Sequence, residues 1–438
     1  MKKVVKFGGS SLASAEQFKK VGAIIKADAS RVFVVPSAPG KRFSDDTKVT
    51  DMLLHVYASA TEGKDISDEI KAIKARYDEI IEGLELNFSL DKDFEVIEKK
   101  LKEDPQKDYA ASRGEFLNGK IMAEYLGIPF IDAAEVIFFN EEGNLNSYKT
   151  EKTLASRLAE AETAVVPGFY GMGKDGNVKT FSRGGSDVTG SIVAQASRAD
   201  VYENWTDVSG LLAADPRIVD NPKSVEYMSC RELRTLSYMG ASVLHTDAVL
   251  PASDAGIPIN IRNTNRPDDA GTMIVKELPN DVDKAPITGV AGRNGMSVIQ
   301  IEKVMVSDGA GFTALMLDML KNRGIPFEQC LTGIDTSTLV IRSDIFNEVK
   351  DDLISEIEDV LHPDFIGIKE NLSMIAVVGE RGTEVSNANI KVLQALTDEG
   401  IEISTINQGA GKLNLLVGVP EECYENAIRV IYATVELI

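Results

Sequence analysis

Cysteine, histidine and tryptophan are scarce in this chain: three, three and one among 438 residues. Cys230, Cys330 and Cys423 lie far apart without metal-ligand spacing, and the histidines are equally scattered. That argues against a disulfide framework and a structural zinc site, and predicts a reducing compartment. No apolar run approaches the roughly 20 residues of a membrane helix, and the lysines of MKKVVKFGG lead directly into a strand rather than a signal-peptide core. The expected location is the cytoplasm. Positive charge is in deficit, 47 Lys and Arg against 68 Asp and Glu, for a net charge of -21. Without a basic stripe or tail, neither nucleic acid nor an anionic membrane is an expected partner. The P-loop pattern GxxxxGK(S/T) and the protein-kinase signatures HRD and DFG are missing, which excludes both of those phosphate-handling designs.

What the chain does have is glycine, 35 residues of it, within a 43% hydrophobic composition. This suits an α/β protein with many strand-to-helix turns and enough length for two or three domains. Residues 3–7 and 31–36 read as strands around a helix from about Ser14 to Ala27, with Ser14 and Gln17 fitting a capping box. The segment from Thr50 to about Leu126 has a helical pattern. Further strands are expected at 128–131, 136–139, 164–167, 199–202 and 257–261, the last clear one before a linker. This alternation predicts a largely parallel sheet covered on both faces. The first domain is expected to span 1–275 and the linker KELPNDVDKAP to span 276–286.

Beyond the linker the pattern repeats. Strand 297–302, helix 311–323, strands 325–330 and 336–341 and helix 347–361 are followed by strand 374–379, helix 385–399, strand 413–419 and helix 421–433. Two small ferredoxin-like βαββαβ modules are expected within 287–438.

Two glycine cassettes carry the chemistry. Lys6-Phe7-Gly8-Gly9-Ser10-Ser11 and Arg183-Gly184-Gly185-Ser186-Asp187 both read as strand, glycine turn and helix, a geometry that aims backbone N–H groups and a helix dipole at an anion. Lys6 at a strand end can extend over a transferring phosphate. Arg183 offers a planar fork to a carboxylate. Asp187 is placed either to orient Lys6 or to hold magnesium-bound water. Arg113-Gly114-Glu115 precedes an apolar helix. Taken alone, Glu115 reads as a solvated helix carboxylate, and otherwise as the partner of a substrate ammonium. Thr206 and Asp207 are candidates for adenosine contacts and Arg217 for phosphates, whereas Trp205 reads as packing.

Together these segments resemble the aspartate kinases of the amino-acid kinase superfamily. KFGGSS, the Ser37-Ala38 turn, Thr50-Asp51, RGE, RGGSD, WTDV, ADPR, GIPI…NT and GT near 271 occur in the family's order and spacing. The resemblance implies a three-layer amino-acid-kinase sandwich, with ATP and Mg2+ serving phosphorylation of the β-carboxylate of L-aspartate, the first step of lysine, threonine and methionine synthesis. It places Lys6, Gly8, Gly9 and Ser10 at the phosphate-transfer site, with Asp187 beside the transferred group. Ser37, Thr50, Glu115, Arg183 and Ser186 are implied at aspartate, with Glu115 facing its ammonium. Thr206, Asp207 and Arg217 are implied at ATP; no metal ligand is assigned.

The same resemblance makes the C-terminal region tandem ACT domains, the first about 295–368 and the second about 287–294 plus 369–438. A feedback amino acid, lysine and/or threonine, is implied there, as is a homodimer or dimer of dimers through the ACT domains. Candidate effector contacts are Val304, Ser307, Gly311, Phe312, Phe327, Asp335, Asn387 and Ile390. The chain departs from the family at Ser242 for lysine, Leu212 for tyrosine and Ser209 for aspartate, all near the implied nucleotide site, where Lys41 or Arg217 would compensate. Two alternatives stand beside this reading: a related kinase with another acceptor, and an amino-acid sensor with a decayed kinase site.

Overall fold

Apolar β-branched runs alternate with amphipathic segments through the first 275 residues, and the structure follows that rhythm. The order is β1 (Lys3–Phe7), α1 (Ala15–Lys26), β2 (Arg31–Pro36), α2 (Val49–Thr61), α3 (Ser67–Gly83), α4 (Asp91–Glu103), α5 (Lys107–Leu126), α6 (Ala133–Val136), α7 (Ser147–Ala161) and β3 (Ala164–Val165). β4 (Tyr170–Met172), β5 (Val178–Thr180), α8 (Gly185–Ser197), β6 (Val201–Thr206), β7 (Tyr227–Ser229), α9 (Cys230–Tyr238), α10 (Leu250–Asp254), β8 (Ile259–Asn263) and β9 (Thr272–Val275) complete it. The computed structural model describes residues 1–182, 184–241, 244, 248–279, 286–304, 311–379, 382–409 and 414–436. It divides into two units: residues 1–211, 224–233 and 242–282, and residues 212–223, 234–241 and 283–438.

In the first unit seven strands form one sheet in the order β3-β2-β1-β6-β8-β9-β7. Its pairings are parallel except β8 with β9. Val4, Val5 and Phe7 of the central strand β1 are fully buried, as expected of a parallel strand covered on both faces. Ser14 accepts from the Gln17 amide at 3.4 Å at the start of α1. The capping box is half made, because Gln17 Oε1 has no partner among the described residues.

Several expected strands move or shrink. Residues 136–139 are not a strand: Asp132 accepts from the Ala134 amide and starts α6, so only Phe138 and Phe139 make isolated bridges, to Met172 and Leu145. Residues 128–131 contribute one bridge, Phe130 to Val165. The strand expected at 199–202 runs instead as β6. IPINI is not the last strand before the linker, since β9 follows it and pairs antiparallel with β8.

The second unit contains β10 (Gly289–Glu302), α11 (Phe312–Asn322), β11 (Gln329–Thr332), β12 (Thr336–Arg342), α12 (Ser343–Leu361), β13 (Phe365–Val378), α13 (Gly382–Asp398), β14 (Thr405–Asn407), β15 (Asn414–Pro420) and α14 (Tyr424–Glu436). Its sheet has six strands in the order β11-β12-β10-β13-β15-β14, all pairing antiparallel. β10 is one long strand where a separate strand 297–302 was expected. Its Val298–Glu302 end pairs with Phe365–Lys369, and its Gly289–Arg293 end with Met374–Val378. Two cores result. Phe312, Met316 and Leu320 of α11 pack with Phe346, Leu353 and Ile357 of α12 on Ile299 and Leu339. Ala388, Val392 and Leu396 of α13 pack with Ile428 and Ile431 of α14 on Ile375 and Val417. Among the described residues no helix is long and apolar enough to cross a membrane.

Candidate active site

The site begins where β1 leaves the sheet. Ligands of open α/β sheets gather at the carboxyl ends of the strands, and Lys6 is the last residue but one of β1, paired with Val35 on one side and Asn204 on the other. Its side chain is buried, and Nζ reaches Asp187 Oδ1 at 2.5 Å. The same oxygen accepts from Asn204 Nδ2 at 2.9 Å. Tyr202 Oη donates to the Asp187 carbonyl at 3.1 Å. The carboxylate in the first turn of α8 is thereby tied to two neighbouring strands. A buried ammonium needs such a partner to remain charged.

Both glycine turns are close-packed. Gly8 donates to the Trp205 carbonyl at 3.0 Å and Gly40 to the Gly9 carbonyl at 2.8 Å. A Cβ on Gly9 would stand 2.8 Å from the Ala38 carbonyl oxygen, and one on Gly40 would stand 2.7 Å from the Gly9 carbonyl carbon. Gly9 opens a 3-10 turn, Gly9–Leu12, whose first amides have no acceptor inside the turn. Gly184 enters α8 at φ +55, and a Cβ on Gly185 would fall 2.3 Å from Phe169 Cδ2. Ser186 is buried against Gly168. Arg183 lies outside the described residues.

A loop clamp supports the first turn. Arg76 of α3, buried, donates to the Gly40 carbonyl at 3.1 Å and the Thr47 carbonyl at 3.2 Å and pairs with Asp46 at 3.1 Å. Hydrogen bonds from Arg42 and the nearby Arg76 charge hold the Asp46 carboxyl well below the usual range.

Glu115 is not a solvated helix carboxylate. It is buried in α5, a helix rich in Ala and Gly that approaches its neighbours closely: a Cβ on Gly114 would lie 2.7 Å from Ala38 Cβ. Desolvation pushes the Glu115 carboxyl up to about 8, opposed by the Ala38 amide that it accepts from and by the charges of Lys6 and Arg113. Among the described residues its Oε2 has no hydrogen-bond partner. Arg113 is also buried, with its guanidinium carbon 4.6, 4.5 and 5.2 Å from the ring centres of Tyr109, Phe116 and Tyr170. Ser37 is held by Asn118 Nδ2, which donates to its carbonyl at 2.6 Å. Thr50 lies in the first turn of α2, on the side facing Gly114.

On the other face of β6, Trp205 is fully buried and donates to Glu203 at 2.9 Å. Arg31 and Arg262 lie over its ring at 5.1 and 4.7 Å, so its role is packing. Ser10 and Asp207 are exposed and Thr206 half-buried, with Thr206 Oγ1 donating to Asp207 Oδ1 at 3.1 Å. Ser209 donates to Asp269 at 2.5 Å and accepts from Asn263 at 2.9 Å. Arg217 belongs to the second unit and is paired with Asp215 at 2.6 Å. Lys41 is exposed and donates to the Ser44 carbonyl at 3.1 Å. Leu212 is exposed; Ser242 and His245 lie outside the described residues.

The residues drawn together are therefore Lys6, Gly8, Gly9, Asp187, Ser37 and Glu115. Asn204 and Asn118 were missed. The available signal was an asparagine beside a glutamate in the strand VYENWT, and another asparagine one helical turn beyond Glu115.

The candidate effector residues are more dispersed. Val304, Phe327, Asn387 and Ile390 are exposed and Phe312 is in the core of the α11–α12 half. Gly311 caps α11, and the Asp335 carbonyl accepts from the Lys303 amide at 2.9 Å. Ser307 lies outside the described residues.

The amino acid kinase family model matches residues 1–263, and an ACT domain model matches residues 375–435. Aspartokinase 3 of Bacillus subtilis is 36% identical over 98% of both chains. The chain belongs to the aspartokinases of the amino acid kinase family. The crystal structure of the Clostridium acetobutylicum aspartate kinase, an allosteric enzyme, superposes with a TM-score of 0.90 at 44% identity, covering 99% of this chain and 100% of that one. Aspartokinase III of Escherichia coli, solved with aspartate and ADP, shares the fold, with a TM-score of 0.74 at 23% identity and 99% coverage of both chains.

Proposed function

We propose that this aspartokinase transfers the γ-phosphoryl group of ATP to the β-carboxylate of L-aspartate through the site built on Lys6. The observation that carries the assignment is Lys6 itself, buried at a strand end and aligned by Asp187 and Asn204. One β-carboxylate oxygen attacks phosphorus in line, the P–O bond to ADP breaks, and 4-phospho-L-aspartate forms. The nucleophile is ionised at neutral pH, so no general base is required. The difficulty is bringing anions together, and charge stabilisation is the main contribution the protein makes.

In this scheme Lys6 neutralises the transferring group, the Gly9 and Ser10 amides at the start of the 3-10 turn bind phosphate oxygens, and Asp187 holds Lys6 in line. Ser37, Thr50, Arg183 and Ser186 position the acceptor, and Glu115 receives its ammonium. Ser10, Thr206 and Asp207 serve the nucleotide. Magnesium supplies charge neutralisation on the nucleotide. Among the described residues no group of three His, Cys, Asp or Glu is arranged for a metal.

The reading extends to regulation. The two cores on one sheet in the second unit support two ferredoxin-like ACT modules, one of them the matched segment 375–435. They bind a feedback amino acid, lysine and/or threonine, and pair subunits into a homodimer or dimer of dimers in the cytoplasm.

The deciding experiment is aspartate-dependent ADP release with Mg-ATP, trapping the acyl phosphate with hydroxylamine, in the presence and absence of lysine and threonine. Hydroxamate formed only with aspartate supports the assignment. No product with any amino acid acceptor removes it.

A further inference from the structure

Asn118 follows Glu115 by three residues on α5, so the two side chains share a face. Asn118 is fully buried. Its Nδ2 donates to the Ser37 carbonyl at 2.6 Å, and that bond fixes the amide's orientation, since a carbonyl oxygen accepts only from the NH2 end. Oδ1 is then a buried acceptor, and among the described residues it has no hydrogen-bond partner. Glu115 repeats the arrangement: the carboxylate accepts from the Ala38 amide while Oε2 has no partner. Two unpartnered acceptors are thus anchored to the same Ser37-Ala38 turn, one helical turn apart. The nearby Tyr77 hydroxyl is already committed to the Gly114 carbonyl at 2.8 Å.

Buried polar atoms in folded proteins are nearly always satisfied, and exceptions point to a missing partner. The partner here must be small and must present two or more donors. A primary ammonium has three N–H groups and no acceptor, and the carboxylate form of Glu115 favours a cation over a neutral donor.

We propose that Asn118 Oδ1 and Glu115 Oε2 jointly form the ammonium subsite for the acceptor amino acid, with Asn118 the residue that selects a nitrogen carrying several N–H bonds. The inference rests on the acceptor reading given above and adds a specificity residue to it. A tertiary ammonium keeps the charge for Glu115 but offers a single N–H, so it cannot serve both oxygens.

The test is calorimetric binding of L-aspartate and of N,N-dimethyl-L-aspartate to the full chain, wild type and Asn118→Leu, with Michaelis constants for both substrates measured in parallel. The expected result is a loss of aspartate affinity of about tenfold or more in Asn118→Leu, because hydrogen bonds to charged groups exceed that value. The preference for aspartate over its dimethyl analogue narrows, while the KM for ATP and the melting temperature hold. Asn118→Asp, which keeps an acceptor oxygen, restores part of the preference.

Unchanged aspartate affinity in Asn118→Leu, or an equal loss for both ligands, overturns the subsite and leaves a trapped water as the partner of the two oxygens. If Asn118→Leu fails to fold, the wild type decides, since equal affinity for the two ligands also overturns it. Wild type that binds aspartate without phosphorylating it defeats the reaction assignment alone.

Discussion

Lys6 and Asn204 stand opposite each other on adjacent parallel strands, and both reach the same atom, Asp187 Oδ1. One carboxylate oxygen therefore reads the registry of the β1–β6 pair. The geometry leaves Lys6 little freedom, as a group that must meet a developing charge requires.

Lys6→Met is expected to lower kcat by about 100- to 1,000-fold while changing the aspartate KM far less, since its interaction is made mainly in the transition state. Steady-state kinetics with both substrates varied checks this. Turnover near wild type removes Lys6 from the site.

Asp187→Asn keeps the shape but weakens the hold on Lys6, and turnover is expected to fall roughly tenfold to a hundredfold. Asn204→Ala acts through the same oxygen, so the double variant is expected to cost little more than Asp187→Asn alone. Additive losses in a double-mutant cycle contradict the shared role.

Glu115 sets a pH dependence. Burial raises its pKa from 4.5 to about 8 in the folded protein, so between those values the folded state holds a proton that the unfolded chain has lost. Stability from this group is present below about pH 4.5 and declines as pH rises toward 8. Glu115→Gln is therefore expected to raise the melting temperature more at pH 8 than at pH 5. Because an ammonium requires the carboxylate form, aspartate affinity is expected to increase with pH up to about 8 in wild type and to lose this component in Glu115→Gln. Calorimetry across that range provides both measurements.

Arg76→Met strands two loop carbonyls and removes one of the cations at Asp46. Breaking a buried pair in this way costs about 3 kcal/mol, which urea denaturation resolves. Gly40→Ala strikes the same loop more narrowly, because its Cβ meets Gly9 backbone at 2.7 Å. A fall in kcat/KM for ATP with an intact melting transition is expected.

The glycine cassettes were legible because each couples a strand end, a turn and a helix start within a few residues. Glu115 was harder to place from its own residues. RGE lies in a helix buried on nearly every side, and a short segment cannot reveal that Ala110, Ala111 and Gly114 allow close approach all round. Asn118 and Asn204 were passed over for a related reason: their meaning depends on distant partners, the Ser37 carbonyl and Asp187. The length of β10 was hidden by Gly292-Arg293-Asn294-Gly295, which has the composition of a turn. The strand instead passes through an irregular register between Arg293 and Met296, the local answer of a bulge rather than a break.

That unbroken strand bears on how the C-terminal half can be inherited. With one end of β10 bonded among Phe365–Lys369 and the other among Met374–Val378, no single cut separates the halves without dividing a shared strand. Recombination between relatives, or an engineer's chimaera joined near residue 295, would build an interior strand of the six-stranded sheet from two parents. The second unit is exchangeable only as a whole, with 212–223 and 234–241 included, since Ala214 and Val219 lie in the same core as Ile375 and Val392.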